Sequence, residues 1–212
     1  MNRRSYTTEF KRDAAALVVE QGYSTTEASL VNVGDNEVQS LARANHNENR
    51  KQFEYSASKI EVKPYSSLYA SEICDLFHST IHAIDTDIYS KAEQEAWCPT
   101  PPDYQMWLKR LDNTQPWMAI FGSRLAGFIE LKDDGYIDCF YVHPDFQKRG
   151  IARKLYDHVL DLAHQKKLSQ LSVDASKVAM PIFKKWGFKI KRTNKIYRKN
   201  QILINYHMYK LL

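Results

Sequence analysis

Tyr141-Val142-His143-Pro144-Asp145-Phe146-Gln147-Lys148-Arg149-Gly150-Ile151-Ala152-Arg153-Lys154-Leu155 is the stretch on which the reading of this chain turns. The apolar run Tyr136 to Val142, bounded by Gly135 and Pro144, reads as a buried strand. A short loop follows, then a helix over 150–166 with Ile151, Leu155, Val159 and Leu162 at helical spacing. That helix opens with two small residues, Gly150 and Ala152, flanked by Lys148, Arg149, Arg153 and Lys154. Small residues let a ligand approach the backbone, and the unpaired amides at a helix start, with the positive end of its dipole, favour anions. The stretch therefore predicts a phosphate cradle, the plainer alternative being an ordinary turn and helix start. It is neither a P-loop nor a dinucleotide fingerprint, since no GxxxxGK(S/T) or GxGxxG occurs among the seven glycines.

Working outward, Ile60, Val62 and Tyr65 predict a first strand, and Leu68 to Ala83 a helix with Ile73, Leu76, Phe77 and Ile81 on its apolar face. Cys98-Pro99-Thr100-Pro101-Pro102 is a loop. Trp117 to Phe121 and Leu125 to Leu131, split by Gly122-Ser123-Arg124, read as a hairpin that forms an antiparallel meander with Tyr136 to Val142. Downstream lie a strand over Leu171 to Val173, a helix over Val178 to Trp186, and two β-rich stretches, Phe188 to Tyr197 and Ile202 to Leu211. The pattern is α/β.

Residues 1–50 read differently. Phe10, Ala14, Leu17 and Val18 form an apolar helical stripe, Ser24 and Glu27 have capping-box spacing before a second short helix, and Gly34-Asp35-Asn36 breaks the chain before a third. Residues 51–57 lie in a polar linker, and 58–212 form the second domain. Charge is uneven. Residues 1–56 hold seven Lys/Arg against eight Asp/Glu and residues 57–174 thirteen against seventeen, but residues 175–212 hold ten bases and no acid. Such a stretch faces a polyanion or is a solvated strand face.

The 212 residues, 43% hydrophobic and 26% charged, suit one or two globular domains and exclude wholesale disorder and low-complexity classes. The longest apolar runs fall far short of the ~20 residues of a membrane-spanning helix, and the N-terminus lacks the apolar core of a secretory signal. Cys74, Cys98 and Cys139 form no CxxC pair. Free thiols, a cytoplasmic location, no membrane contact and no metal are the expectations.

Gln147-x-x-Gly150-x-Ala152, after a strand ending Val142-His143-Pro144, resembles the acyl-CoA-binding motif of the GCN5-related N-acetyltransferases. Ala179-Met180-Pro181-Ile182-Phe183-Lys184-Lys185-Trp186-Gly187-Phe188 is similar to that family's late helix, which ends in Gly-Phe. The resemblance covers about residues 57–212. It implies a mixed, mostly antiparallel sheet flanked by helices and acetyl-CoA as co-substrate. It also implies that Gln147, Lys148, Arg149, Gly150, Ile151, Ala152 and Arg153 hold the pyrophosphate. The strand Cys139, Phe140, Tyr141 and Val142 would bond the pantetheine arm, and Ser176 stands where an asparagine often touches the cofactor. The acceptor would be a primary amine of a small molecule or peptide. Residues 3–45 in turn resemble the helix-turn-helix of an insertion-sequence transposase small subunit. That segment has Gln39, Ser40 and Leu41 where the family carries arginines and a tryptophan, and its net charge is −1, so DNA binding is not expected. The alternative is an acyl-CoA-binding module whose N-terminal helices touch DNA or a partner. Oligomeric state has no signature here, and a homodimer stays open.

An alkyl ammonium with a pKa of ~10.4 is only about one part in a thousand deprotonated at pH 7, so direct transfer gains from a base. Asp138 is the single acid in the strand Tyr136 to Val142, expected by alternation on the face of Tyr136, Phe140 and Val142. Apolar surroundings would raise its pKa toward a useful value; a structural Asp bonded to Lys, Arg or an amide is the competing reading. Phe183 occupies the position where many relatives carry an acid tyrosine. Tyr141, Tyr206 and Cys139 are the substitutes for protonating the thiolate, unless it leaves unassisted. His78 and His82, with Asp75, have a ligand-like spacing on one helix but read as a polar face. Trp97, Tyr104 and Trp107 form either an acceptor wall or core.

Overall fold

The computed structural model describes residues 60–212, so the helix-turn-helix reading of residues 3–45 and the linker 51–57 lie outside the described residues. Strand β1 spans Ile60–Pro64, helix α1 Ala70–His82, α2 Lys91–Trp97 and α3 Tyr104–Thr114. The meander follows as β2, Trp117–Phe121, β3, Arg124–Leu131, and β4, Tyr136–Val142. Then come α4, Ile151–Gln165, β5, Gln170–Ser176, α5, Met180–Lys185, β6, Lys189–Arg198, and β7, Gln201–Leu211. Within residues 60–212 the expected strands and long helices form. The helix predicted over 178–186 is shorter at both ends.

Helices α2 and α3 are additions to the sequence reading. Their signals are local: Ser90 and Glu93 form a capping box with both bonds present, and the Asp103 carboxylate accepts from the Met106 amide at 2.9 Å.

The seven strands run in the order β1-β2-β3-β4-β5-β7-β6. Every neighbouring pair is antiparallel except β4 and β5. That parallel pairing is brief: Tyr136 lies opposite Ser172 and Ile137 opposite Val173, and beyond them the strands part. On one face, Ile73 and Leu76 of α1 and Trp107 and Leu111 of α3 pack on Met118, Phe128 and Cys139. On the other, α4 buries Ile151, Leu155, Tyr156 and Val159. Gly127 of β3 sets how closely α4 lies: a Cβ there would meet Ile151 Cγ2 at 3.1 Å and Leu155 Cδ1 at 3.2 Å.

The pairing of β3 with β4 slips by one residue between Ile129 and Leu131, so Asp138 and Cys139 together oppose Glu130. Such a bulge breaks the two-residue alternation. Asp138, Cys139 and Tyr141 consequently face the α1 and α3 side with Tyr136. Phe140 packs on Phe183 and Trp186, and Val142 pairs with Gly127 on the α4 side. The expected shared face of Asp138 with Phe140 and Val142 is thereby corrected.

Candidate active site

The turn between β4 and α4 spends its main-chain amides only as far as Gln147, which donates to the Pro144 carbonyl at 3.3 Å. A short 3-10 turn, Pro144–Phe146, is capped by His143 Nδ1, which accepts from the Asp145 amide at 3.2 Å. Lys148 and Gly150 then both take left-handed conformations, φ 58° and 86°. This turns successive N–H groups to one side, the geometry that favours glycine at 150. Among the described residues, the amides of Lys148, Arg149, Gly150, Ile151, Ala152 and Arg153 donate to no backbone carbonyl, and Gly150 offers no capping side chain. The first turn of α4 holds no acid. Lys148 and Arg149 are exposed beside it; the Arg149 guanidinium lies over Phe121 and Phe146 at 6.0 and 5.8 Å. Arg153 Nε is tied to both oxygens of Asp157, at 2.7 and 2.9 Å. Unpaired amides, exposed cations and the absence of an acid from the first turn of α4 give this segment the geometry that an anion would need.

Because β5 leaves β4 after Ile137, the β4 edge from Cys139 to Val142 faces no strand on that side. An extended ligand can pair with such an edge. Ser176, at the end of β5, lies across the cleft, and its Oγ accepts from the Ala179 amide at 3.1 Å.

Beneath the cleft is a cavity of about 650 Å³ walled by α1, α3, the 98–103 loop, β4, β5 and the β6–β7 hairpin. Asp138 projects into it, held by Lys132 Nζ and Arg110 Nη2, each at 3.0 Å. Burial alone would push its pKa up, but these two bonds and charges outweigh it and hold the carboxyl below its ordinary value. The expected upward shift is therefore corrected, because the bulge seats Asp138 beside Arg110 rather than among apolar groups. Arg110 also bonds the buried Glu130 carboxylate and lies 3.3 Å from Cys139 Sγ. Glu130 in turn accepts from Thr114 Oγ1 at 2.9 Å. On the opposite wall Asp174 is bonded to His207 Nδ1 at 2.7 Å and to Asn194 at 3.3 Å. Burial, with Asp174 and Asp138, pushes the Tyr136 phenol up.

The family model for the acetyltransferase (GNAT) domain matches residues 85–210. The chain belongs to the GCN5-related N-acetyltransferase family. The crystal structure of a GCN5-related N-acetyltransferase from Rhodopseudomonas palustris is 32% identical, with a TM-score of 0.68, over 72% of this chain and 95% of that one. The uncharacterized N-acetyltransferase YafP of Escherichia coli K12 is 27% identical over 71% of this chain and 95% of its own length. The PaiA N-acetyltransferase of Thermoplasma acidophilum, solved in complex with coenzyme A, shares the fold at 19% identity and TM-score 0.59, over 72% of this chain and 99% of that one. None of these likenesses supports the transposase resemblance of residues 3–45. Among the described residues, no helix is long and apolar enough to cross a membrane.

Within this acetyltransferase fold, Phe183 is buried against Phe140 and Phe188 and carries no hydroxyl. The substitutes for its missing proton are constrained. Tyr141 is pushed well above the ordinary phenol value and the Cys139 thiol is pushed up, both chiefly by burial. Tyr206 pairs with Ala175, so it projects from the sheet face opposite Asp174 and Asn205, which line the cavity. Trp97 and Trp107 do line the cavity, joined by Phe77, Tyr89 and Tyr141. Tyr104 instead donates to Asp75 at 2.6 Å. Arg110, Glu130, Asp174 and His207 escaped sequence reading. The lone acids Glu130, in the apolar run Leu125 to Leu131, and Asp174, between Val173 and Ala175, carried a local signal.

Proposed function

We propose that the protein transfers an acetyl group from acetyl-CoA to a primary amine of a small molecule or peptide within a ternary complex. The row of unpaired amides from Lys148 to Ala152 is the observation that carries this reading. These amides would hold the diphosphate, with Lys148 and Arg149 adding positive charge; the Gln147 amide is already given to the Pro144 carbonyl and the Arg153 guanidinium to Asp157. Main-chain groups of Cys139, Phe140, Tyr141 and Val142 would hold the pantetheine arm, and Ser176 would sit across from it. The Thermoplasma acidophilum relative, solved with coenzyme A, supports the choice of ligand.

The cavity supports the choice of acceptor. Asp103, Asp138 and Asp174 line it with Arg110 and Arg198, Asp138 being paired with Arg110 and Lys132 and Asp174 with His207. Its aromatic walls suit the body of an ammonium-bearing molecule. The amine nitrogen attacks the thioester carbonyl, strand amides steady the oxyanion, and the C–S bond breaks as the thiolate leaves. Asp138 orients the amine and accepts its proton through water. Its lowered pKa makes it a weak base, so the rate is expected to climb with pH as the amine itself loses its proton. With Phe183 inert, the thiolate leaves unprotonated, as a thiol pKa of ~8.5 permits.

Calorimetry with coenzyme A, followed by acetyl-CoA consumption assays against amines, antibiotics and peptides, tests the reading. Heat at one site per chain and turnover with at least one amine are expected. No heat with coenzyme A overturns the cradle. Heat without turnover on any acceptor leaves an acyl-CoA-binding module in place of an enzyme.

A further inference from the structure

We propose that His78, His82 and Cys98 form a binding site for one zinc-class divalent ion. The two histidines stand one turn apart on α1, with rings stacked at 4.2 Å between centroids and 29° between planes. Cys98 follows α2 and reaches the same place: one ring nitrogen from each histidine and Cys98 Sγ all lie within 4.8 Å of one another. Donors around a tetrahedral ion at ~2.0–2.3 Å stand roughly 3.3–3.8 Å apart, so small side-chain rotations close the set. Asp75, the third ligand that spacing alone suggests, is bonded to Tyr104 instead. Two imidazoles and a thiolate favour zinc over magnesium or calcium, which take oxygen donors. Glu95 stands outside this three-donor set, its oxygens accepting from the Thr100 amide and hydroxyl at 2.9 and 2.8 Å, so water would complete the coordination.

The second observation concerns the protons. His82 Nε2 lies 2.8 Å from the Cys98 carbonyl oxygen, which can only accept, so the ring proton sits on Nε2 and Nδ1 carries a lone pair. Thr100 Oγ1 donates to Glu95 at 2.8 Å. It therefore accepts from His78 Nε2 at 3.0 Å, and His78 Nδ1 also carries a lone pair. Ring N–H groups held by a carbonyl or hydroxyl are the outer contacts that orient metal-binding imidazoles. On ligation the Cys98 S–H proton passes to solvent as the metal–sulfur bond forms. Cys98, Pro99, Pro101 and Pro102 wall the acceptor cavity, so the ion would pin that wall to α1.

The test uses the full chain, stripped with a chelator and titrated with Zn2+ in competition with a chromophoric chelator, with Co2+ as the spectroscopic probe. One ion per chain and a thiolate-to-cobalt charge-transfer band are expected. Cys98→Ser should abolish that band, and His78→Gln should weaken Zn2+ binding at least about tenfold while its circular dichroism stays that of the parent. Failure of the chain to retain zinc against an equimolar chelator overturns the site. So does an unchanged band in Cys98→Ser, or unchanged affinity in a folded His78→Gln. None of these readouts involves acetyl transfer, so the result stands apart from the function proposed above.

Discussion

The cradle at the start of α4 and the cavity beneath β4 are adjacent but built from different materials. Main-chain amides within one six-residue turn make the cradle, and their directions are set by two left-handed residues, Lys148 and Gly150. Side chains from α3, β3, β4, β5 and β7 make the cavity's polar centre, where Arg110 joins Glu130 to Asp138 and Asp174 is joined to His207. Substitutions should therefore act on the cradle through backbone conformation and on the cavity through charge. A common diphosphate can be held by generic amides, whereas a particular acceptor requires particular side chains.

The largest contrast is expected from Arg110→Ala. Glu130 is only 2% exposed, and removing its cation leaves a buried carboxylate uncompensated beside Asp138. A loss of about 3 kcal/mol in unfolding free energy is expected by denaturant titration. If stability were unchanged, the cavity's ionic centre would not be structural and the contrast would fail.

Gly150→Val should come next, acting on the cradle alone. A β-branched residue at φ 86° is strained and its side chain narrows the approach to the amides. A drop of about thirtyfold in coenzyme A affinity, equivalent to ~2 kcal/mol, is expected by calorimetry. Binding within twofold of the parent would show that the amides do not carry it.

Asp138→Asn separates the two regions. A loss of about tenfold in kcat/KM for the acceptor is expected, with coenzyme A affinity unchanged. The same variant bears on stability. Because the folded carboxyl titrates below its ordinary value, its contribution is present above about pH 4 and lost as pH falls through the lowered value. Acid unfolding should therefore be shallower in Asp138→Asn than in the parent.

The smallest effect is expected from Lys148→Ala. Lys148 is exposed, so screening by water and salt limits its charge to a two- to threefold change in coenzyme A affinity that fades at high salt. A tenfold loss would mean that side-chain charge, not the main chain, holds the phosphates.

Legibility followed the same division. The order of strands and long helices, the turn at 147–152 and the place of Phe183 could be read along the chain, since apolar periodicity and turn chemistry are set by residues a few positions apart. Helices α2 and α3 were equally local, marked by Ser90 with Glu93 and by Asp103, but went unread beside the proline-rich loop between them. The face of Asp138 was misjudged because a bulge depends on how two strands pair, not on the sequence of either one.

By itself, then, the sequence determined the order of the strands and long helices and the turn at 147–152 with its motif, because each depends on backbone preferences within a short span. Only the tertiary structure decided that β4 and β5 part after Ile137, that Asp138 meets Arg110 and Lys132, and that Cys98 meets His78 and His82. Those meetings join residues 6 to 28 positions apart in the chain, and packing of helices on the sheet is what brings their charges and donors within a few ångströms.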